Sequence, residues 1–397
     1  MDTSELVELL SAEGLRLLDS LPRYESSTDV LRSVSALRKA GHSPALVAAV
    51  LGQSKLRARA SAKFGPFADR MLFTEAGLEQ ATRLRVAAIH AGRFQAAGLE
   101  RIADLGCGIG ADALALAALE LTVTAVELDE VTAAIAAYNL APWSGATVVN
   151  ADAESVDLAG FDGVYLDPAR RTSGHQNTSR LTNPADFSPS LDFAFDLGNR
   201  MPTGIKLGPG VDRDLIPADA EAQWVSVDHD VVELGLWFGA VARPGIRRAA
   251  LVIGDHGSAE LVADADSEDV EVGQLGDYLY EPDGAVIRAR LIGALAGQLG
   301  ASMLSDGIAY LTADSAIETP FASCFRIIET FPYDERVLKK ELASRGIGSL
   351  EIKKRGVDVD PATLRKRLAP KGDASATLIV TRVAGRHTAL LAERVAP

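Results

Sequence analysis

Four carboxylates stand where short apolar runs end: Asp104, Glu127, Asp152 and Asp167. The first is followed by Leu105-Gly106-Cys107-Gly108-Ile109-Gly110-Ala111, a turn between the strand-like run Arg101–Leu105 and an Ala/Leu-rich helical stretch. Glycines at such a junction let the backbone turn tightly and approach a ligand with no Cβ in the way. Several nucleotide-binding folds use loops of this kind, and Gly106-x-Gly108-x-x-Ala111 fits the loose dinucleotide pattern. Asp104 argues against pyrophosphate, which a carboxylate would repel, and favours a ligand that carries an ammonium group. Glu127 ends the next strand, where a carboxylate accepts hydrogen bonds from two ribose hydroxyls. Asp152 follows the third strand, placed to accept from an adenine amino group. An adenosine with an amino-acid tail and no phosphate suits this set, and S-adenosylmethionine is such a ligand.

The runs Asp104-Leu-Gly-Cys-Gly-Ile-Gly110, Val126-Glu127-Leu-Asp129 and Asn150-Ala-Asp152 together resemble the class I S-adenosylmethionine-dependent methyltransferases. The resemblance implies an α/β, Rossmann-like sheet, with Asp104, Gly106, Gly108, Gly110, Glu127 and Asp152 at the cofactor. It also implies that the backbone of Cys107, rather than its thiol, touches that cofactor. Val164-Tyr-Leu-Asp167-Pro168-Ala169-Arg170-Arg171 ends the fourth strand and resembles the Asp-Pro-Pro-aromatic loop of enzymes that methylate exocyclic amines of bases. In that family the carboxylate and the following carbonyl accept the amine protons and aim the nitrogen lone pair at the methyl group. The chemical demand is mainly orientation. Here Ala169 replaces the second proline and Arg170 the aromatic residue that would stack on a base. Arg170 and Arg171 can stack, clamp a phosphate or pair with nearby acids. An Asp-Pro-Ala-Arg loop also resembles enzymes that methylate C5 of pyrimidines. That mechanism needs a cysteine after the fifth strand, and Ile205-Lys206-Leu207-Gly208-Pro209-Gly210 has none. Lys206 either holds a substrate phosphate or neutralises neighbouring carboxylates. Glu233 and Trp237 can border the same pocket.

The elements that must position these residues follow from periodicity. Residues 1–95 read as helical, with Ser43-Pro44 opening a helix over Ala45–Leu51, Lys63-Phe-Gly-Pro66 a turn, and Thr74 capping a further helix. Residues 73–82 can cover the methionine end of the cofactor. From residue 96 to 255, strands at Arg101–Leu105, Thr122–Leu128, Ala146–Asn150, Gly163–Asp167 and Gly204–Leu207 alternate with helices, which implies a parallel sheet covered on both faces. Later β runs are expected at Trp224–Asp228, Val232–Phe238 and Ala249–Ile253. Residues 256–324 read as a less regular connecting segment containing one helix, Ala285–Leu299, and a short strand, Ile308–Leu311. Residues 325–397 read as a small α+β domain.

The chain has 397 residues and a net charge of −14. The charge is segregated: net +2 over residues 1–100, −22 over 101–329 and +6 over 330–397. Such a balance excludes a broadly sticky polyanion binder and leaves a basic tail. Two cysteines cannot build a disulfide framework or a four-cysteine zinc site, and the six histidines lack paired metal-ligand spacing, so no metal is expected. The start Met1-Asp-Thr-Ser-Glu5 lacks the basic region of a secretory signal. The most apolar stretch, Ala111–Val126, is broken by Asp112 and Glu120, so no membrane span is expected. A cytoplasmic protein is the default expectation. Oligomeric state is not readable from the sequence.

Tyr278-Leu-Tyr-Glu-Pro-Asp283, Ala285-Val-Ile-Arg-Ala-Arg290, Glu351-Ile-Lys353-Lys354-Arg355-Gly356 and Ala376-Thr-Leu-Ile-Val380 resemble bacterial class I methyltransferases with a C-terminal THUMP-like domain. That resemblance runs from about Lys63 to the end of the chain and implies a structured RNA substrate. The charge of the tail points the same way: Lys353-Lys354-Arg355 and Arg365-Lys366-Arg367, with Lys339-Lys340 and Arg345, are candidate phosphate contacts. They can equally serve as an internal interface with the acidic body. Three alternatives stand beside RNA amine methylation: a small-molecule or protein methyltransferase with a structural tail, a non-catalytic RNA-binding module that keeps the cofactor site, and a nicotinamide oxidoreductase.

Overall fold

The computed structural model describes residues 1, 3–22, 24, 34–170, 187–255 and 257–395. The chain forms two compact units, Met1–Leu207 with Trp237–Ala242, and Gly208–Leu236 with Arg243–Pro397.

The first unit opens with helices α1 (Thr3–Leu10), α2 (Ala12–Ser20), α3 (Pro44–Phe64), α4 (Glu75–Gln80) and α5 (Leu84–Ala96). Ser43 accepts from the Leu46 N–H and Pro44 occupies the first turn, as expected, but α3 runs on to Phe64, well past Leu51. Gly65, at φ +55°, ends it. Thr74 caps α4 through the Gly77 N–H.

Next come β1 (Arg101–Leu105), α6 (Ala111–Ala118), β2 (Thr122–Glu127), α7 (Glu130–Leu140), β3 (Ala146–Asn150) and β4 (Gly163–Leu166). A two-residue ladder joins β5 (Ala169–Arg170) to β6 (Phe187–Ser188), and α8 (Leu191–Arg200) leads into β7 (Thr203–Leu207). The large strands of this unit are parallel, in the order β7-β4-β1-β2-β3. Connections therefore reverse direction between β1 and β4, the position where open α/β sheets leave a crevice at their carboxyl ends. Both β4 and β7 are buried along their whole length, as a sheet covered on both faces requires. Phe94, Tyr165 and Trp237 form one aromatic cluster beneath the crevice. Gly204 makes room for it, since a Cβ there would lie 2.7 Å from the Trp237 indole.

In the second unit β8 (Glu221–Val227) runs parallel to β10 (Arg248–Gly254), which forms a hairpin with β11 (Gly257–Ala263). The strand β9 (Asp230–Phe238) gives its last two residues to the first unit. A separate seven-stranded sheet has the order β13-β14-β12-β15-β18-β17-β16. Its members are β12 (Tyr278–Pro282), β13 (Ser302–Ser305), β14 (Ile308–Ala313), β15 (Ala322–Pro332), β16 (Ile347–Lys354), β17 (Ala374–Val383) and β18 (Arg386–Arg394). Segment 256–324 is thus more regular than its pattern suggests, because β12 pairs along β15 and carries the sheet beyond residues 325–397.

The single helix expected over Ala285–Leu299 is two, α9 (Gly284–Arg288) and α10 (Ile292–Leu299). Arg290 takes a left-handed conformation between them, at φ +58°. Gly293 then brings α10 so close to the Glu268 carbonyl that any Cβ would overlap it. Apolar periodicity runs through such a break without marking it. Helices α11 (Glu335–Ser344) and α12 (Pro361–Leu368) enclose an apolar core with the sheet, built on Leu338, Leu342, Leu364 and Leu378.

Candidate cofactor and acceptor site

Gly106, Gly108 and Gly110 all adopt positive φ, at +85°, +56° and +86°. Residues with a side chain rarely adopt that conformation, so three in five positions make the loop a glycine requirement. The N–H groups of Gly106 and Cys107 both donate to Val126 O at the end of β2, at 2.9 and 3.0 Å. Asn139, from α7, holds the other side of the loop by donating to Ile109 O and Leu72 O while accepting from the Leu72 N–H. Gly77 of α4 lies against Ile109, which sets the Thr74–Gly77 turn on the loop.

Asp104, the fourth residue of β1, is 1% exposed. The Ala113 N–H donates to its carboxylate, but Oδ2 is buried with no hydrogen-bond partner among the described residues. Burial, reinforced by Asp112 and Asp167, pushes its carboxyl well above the usual carboxylate range. Glu127 is fixed at the end of β2: Oε2 accepts from the Gly108 N–H at 3.0 Å and Oε1 from the Asp129 N–H at 2.9 Å. Asp152 is exposed and accepts from the Glu154 N–H through Oδ1.

Asp167 follows β4. Its carbonyl lies 3.7 Å from where a Gly106 Cβ would stand, so the β4 loop abuts the glycine loop. Its carboxylate is 30% exposed and meets Lys206 Nζ at 2.5 Å through Oδ2. Pro168 is buried. Lys206, on β7, also donates to Gln80 O at 3.3 Å and Thr82 Oγ1 at 3.1 Å. Thr82 donates to Asp112 Oδ2 at 2.7 Å, Asp112 Oδ1 meets His90 Nδ1 at 2.8 Å, and Tyr165 Oη lies 3.0 Å from the same ring nitrogen. Although burial opposes it, the His90 partnership holds the Asp112 carboxyl below its usual range. Lys63 grips the same turn from α3, donating to the carbonyls of Leu78, Glu79 and Ala81; burial lowers its pKa to about 8.

A curated relative, an "uncharacterized S-adenosylmethionine-dependent methyltransferase" of Mycobacterium tuberculosis, is 33% identical over 340 residues, 83% of this chain and 90% of that protein. The chain belongs to the S-adenosylmethionine-dependent methyltransferases. The crystal structure of a "putative methyltransferase" from Porphyromonas gingivalis W83 shares the fold, with TM-score 0.72 and 21% identity across 95% of this chain and 100% of that one. The THUMP domain-like family matches residues 322–394, and a domain of unknown function matches residues 2–60.

A methyltransferase of this family uses S-adenosylmethionine, and the residues present fit that molecule. The orphaned, buried Asp104 Oδ2 suits an ammonium group, which would satisfy it and favour its ionised form. The braced Glu127 carboxylate suits a pair of hydroxyl donors. The open side of Gly108, where a Cβ would touch nothing within 4 Å, leaves backbone accessible.

The remaining candidate residues are distributed differently. Arg170 lies in β5 and Arg171 falls outside the described residues. Lys353 pairs with Glu281 at 2.6 Å and Glu351 at 3.5 Å, and Arg355 packs on the Tyr310 ring. Of that triplet, Lys354 is the exposed member. Arg365, Lys366 and Arg367 are all exposed in the last turn of α12, with Arg367 paired to Glu335. Lys339 and Lys340 are exposed on α11, whereas Arg345 is paired with Glu329 and Glu341. Glu233 is buried in the second unit and Trp237 in the aromatic core of the first.

Sequence reasoning missed Thr82, His90 and Asp112. A signal was present in Asp112, a carboxylate inside a run of alanines and leucines, but the sequence offers no partner near it. Among the described residues, no group of three His, Cys, Asp or Glu could hold a metal ion, and no helix is long and apolar enough to cross a membrane.

Proposed function

We propose that this methyltransferase transfers a methyl group to an amine nitrogen of structured RNA, tRNA or rRNA, in the cytoplasm. Asp104, Gly106, Gly108, Gly110, Glu127 and Asp152 hold the cofactor, and Asp167 with Pro168 holds the acceptor. One observation carries the reading: the Asp167 carboxylate, partly open to solvent, stands at the end of β4 on a loop that abuts the cofactor's glycine loop. Bound S-adenosylmethionine supplies an electrophilic methyl group on a sulfonium. Asp167 accepts hydrogen bonds from the amine, directs its lone pair along the methyl–sulfur axis, and offsets the positive charge that develops on nitrogen. The THUMP-like match and the exposed basic residues Lys339, Lys340, Lys354, Arg365 and Lys366 support RNA, with these side chains gripping phosphates. Arg170 and Arg171, which follow the acceptor residues in the sequence, contact the nucleotide being modified.

A second reading, a small-molecule or protein acceptor, is favoured by the engagement of Lys353 in internal ion pairs, which reduces the basic surface. Labelled S-adenosylmethionine, incubated with total RNA from cells with and without the gene, tests the choice. Transfer only to RNA from the deletion strain, with loss of one modified nucleoside in that strain by mass spectrometry, is the expected result. Transfer to protein or metabolite extracts, with none to RNA, would establish the second reading.

A further inference from the structure

Lys206 is 9% exposed and sits at the carboxyl end of β7, yet its ammonium group is engaged on two sides. On one side it holds Asp167 Oδ2. On the other it donates to Gln80 O and Thr82 Oγ1, in the turn that follows α4. That helix rests on the glycine loop through Gly77 and Ile109. One lysine therefore ties the acceptor carboxylate to the segment packed on the cofactor loop. The turn is itself anchored: Thr82 is hydrogen-bonded to Asp112, which is locked by His90, and Lys63 binds three of the carbonyls between Leu78 and Ala81. A buried ammonium restrained in this way is poorly placed for a substrate phosphate.

We propose that Lys206 is the positioning residue of methyl transfer: it fixes the orientation and the ionised state of Asp167, so that the carboxylate meets the acceptor already aimed and charged. Among the described residues, the charged and titratable groups facing Asp167 include Lys206 from β7, Asp104 from β1 and Lys63 from α3; behind them stand Asp112 of α6, His90 of α5 and Tyr165 of β4. Without Lys206 the ammonium in contact with Asp167 is gone while the ionised Asp112 carboxylate stays nearby, and Lys63, whose ammonium is held by three carbonyls, offsets it only in part, so the protonated form of Asp167 is favoured. A protonated Asp167 donates where it must accept, and transfer stops.

This role rests on the acceptor reading above, so the test has one arm that needs no acceptor. In the full-length protein, the Asp167 carboxyl is titrated by carbon-13 NMR, with and without S-adenosylhomocysteine, in wild type, Lys206→Met and Lys206→Arg. The expected result is an upward displacement of its titration midpoint by one pH unit or more in Lys206→Met, and by much less in Lys206→Arg. An unchanged midpoint in a folded Lys206→Met protein overturns the proposal. In the second arm, methyl transfer to RNA from the deletion strain is followed against pH. Lys206→Met is expected to lower kcat on the order of 100-fold and move the acidic limb upward, with KM for RNA changed by less than about threefold, the signature of an interaction used in the transition state. Thr82→Val, which removes one of the hydrogen bonds that hold Lys206, is expected to show the same displacement in weaker form and serves if Lys206→Met does not fold. A rise in KM with kcat and the limb intact would instead make Lys206 a phosphate ligand. If wild-type enzyme labels no RNA while the NMR midpoint moves as expected, the RNA reading falls and the Lys206–Asp167 relationship stands.

Discussion

Asp104 and Asp112, eight residues apart on either side of the glycine loop, are both buried carboxylates with opposite fates. Asp112 has a partner on each oxygen, Thr82 and His90, and is held ionised. Asp104 keeps one oxygen without a partner among the described residues and is pushed toward its neutral form by burial. A buried acid left unsatisfied costs stability, and a ligand bearing an ammonium group relieves that cost. Asp112 is a structural brace, and Asp104 is the proposed ammonium site.

A pH dependence follows. Because the folded, ligand-free protein holds the Asp104 proton more tightly than the unfolded chain, the neutral group favours folding at low pH, and this advantage is lost as pH rises toward its raised pKa. The ammonium of the cofactor favours the ionised form, so binding releases a proton. Affinity for S-adenosylmethionine should rise with pH through the raised Asp104 pKa, and titration calorimetry in buffers of different ionisation enthalpy should show proton release. Asp104→Asn should weaken binding about tenfold or more, through removal of a charge-assisted hydrogen bond, and abolish that release.

Glu127 braces the glycine loop through the Gly108 N–H, and in the proposed site it also accepts from the ribose hydroxyls. Glu127→Ala should weaken cofactor binding by roughly 10- to 100-fold, as removal of one or two hydrogen bonds to a charged group predicts. Isothermal titration measures it. Glu127→Gln, which keeps an acceptor, should recover part of the affinity.

Asp167 should separate binding from chemistry. Asp167→Ala should reduce methyl transfer by on the order of 100-fold or more while changing the cofactor Kd by less than about threefold, since its carboxylate serves the acceptor. Radiolabel transfer and calorimetry on the same preparation decide between this and a cofactor role.

The exposed basic residues make a prediction about salt. Replacing Lys354, Arg365 and Lys366 together by Gln should weaken RNA binding and reduce the slope of log K against log salt by roughly 0.7 to 0.9 for each phosphate no longer neutralised. Lys353→Gln should instead lower thermal stability, because Lys353 is paired with Glu281 and Glu351.

Gly204 gives a packing test. Gly204→Ala places a Cβ 2.7 Å from Trp237, in a closely packed aromatic cluster. Overpacking of this kind costs about 1–3 kcal/mol, and the melting temperature should fall by several degrees with the far-UV spectrum unchanged.

The amino-acid sequence by itself pointed to the proposed cofactor site. The glycine loop and the carboxylates Asp104, Glu127 and Asp152 each lie at a strand end, and in a parallel sheet all carboxyl ends face one crevice, so local pattern and sheet rule together place them. The strand runs Arg101–Leu105 and Ala146–Asn150 were legible to the residue, because turn residues bound them. The break at Arg290 was not, since apolar periodicity continues across it. Only the tertiary structure decided how charges are spent. Lys206 is 39 residues from Asp167 and over 120 from Thr82, and Lys353 finds Glu281 across more than 70. A cation that the sequence leaves open between a substrate phosphate and an internal carboxylate is found with the internal partner once burial removes the water that would have solvated it. Burial likewise separates Asp104 from Asp112: the two are the same residue type flanking one loop, and which of them keeps an unpaired oxygen depends on the Thr82 and His90 side chains that the fold brings to one of them alone.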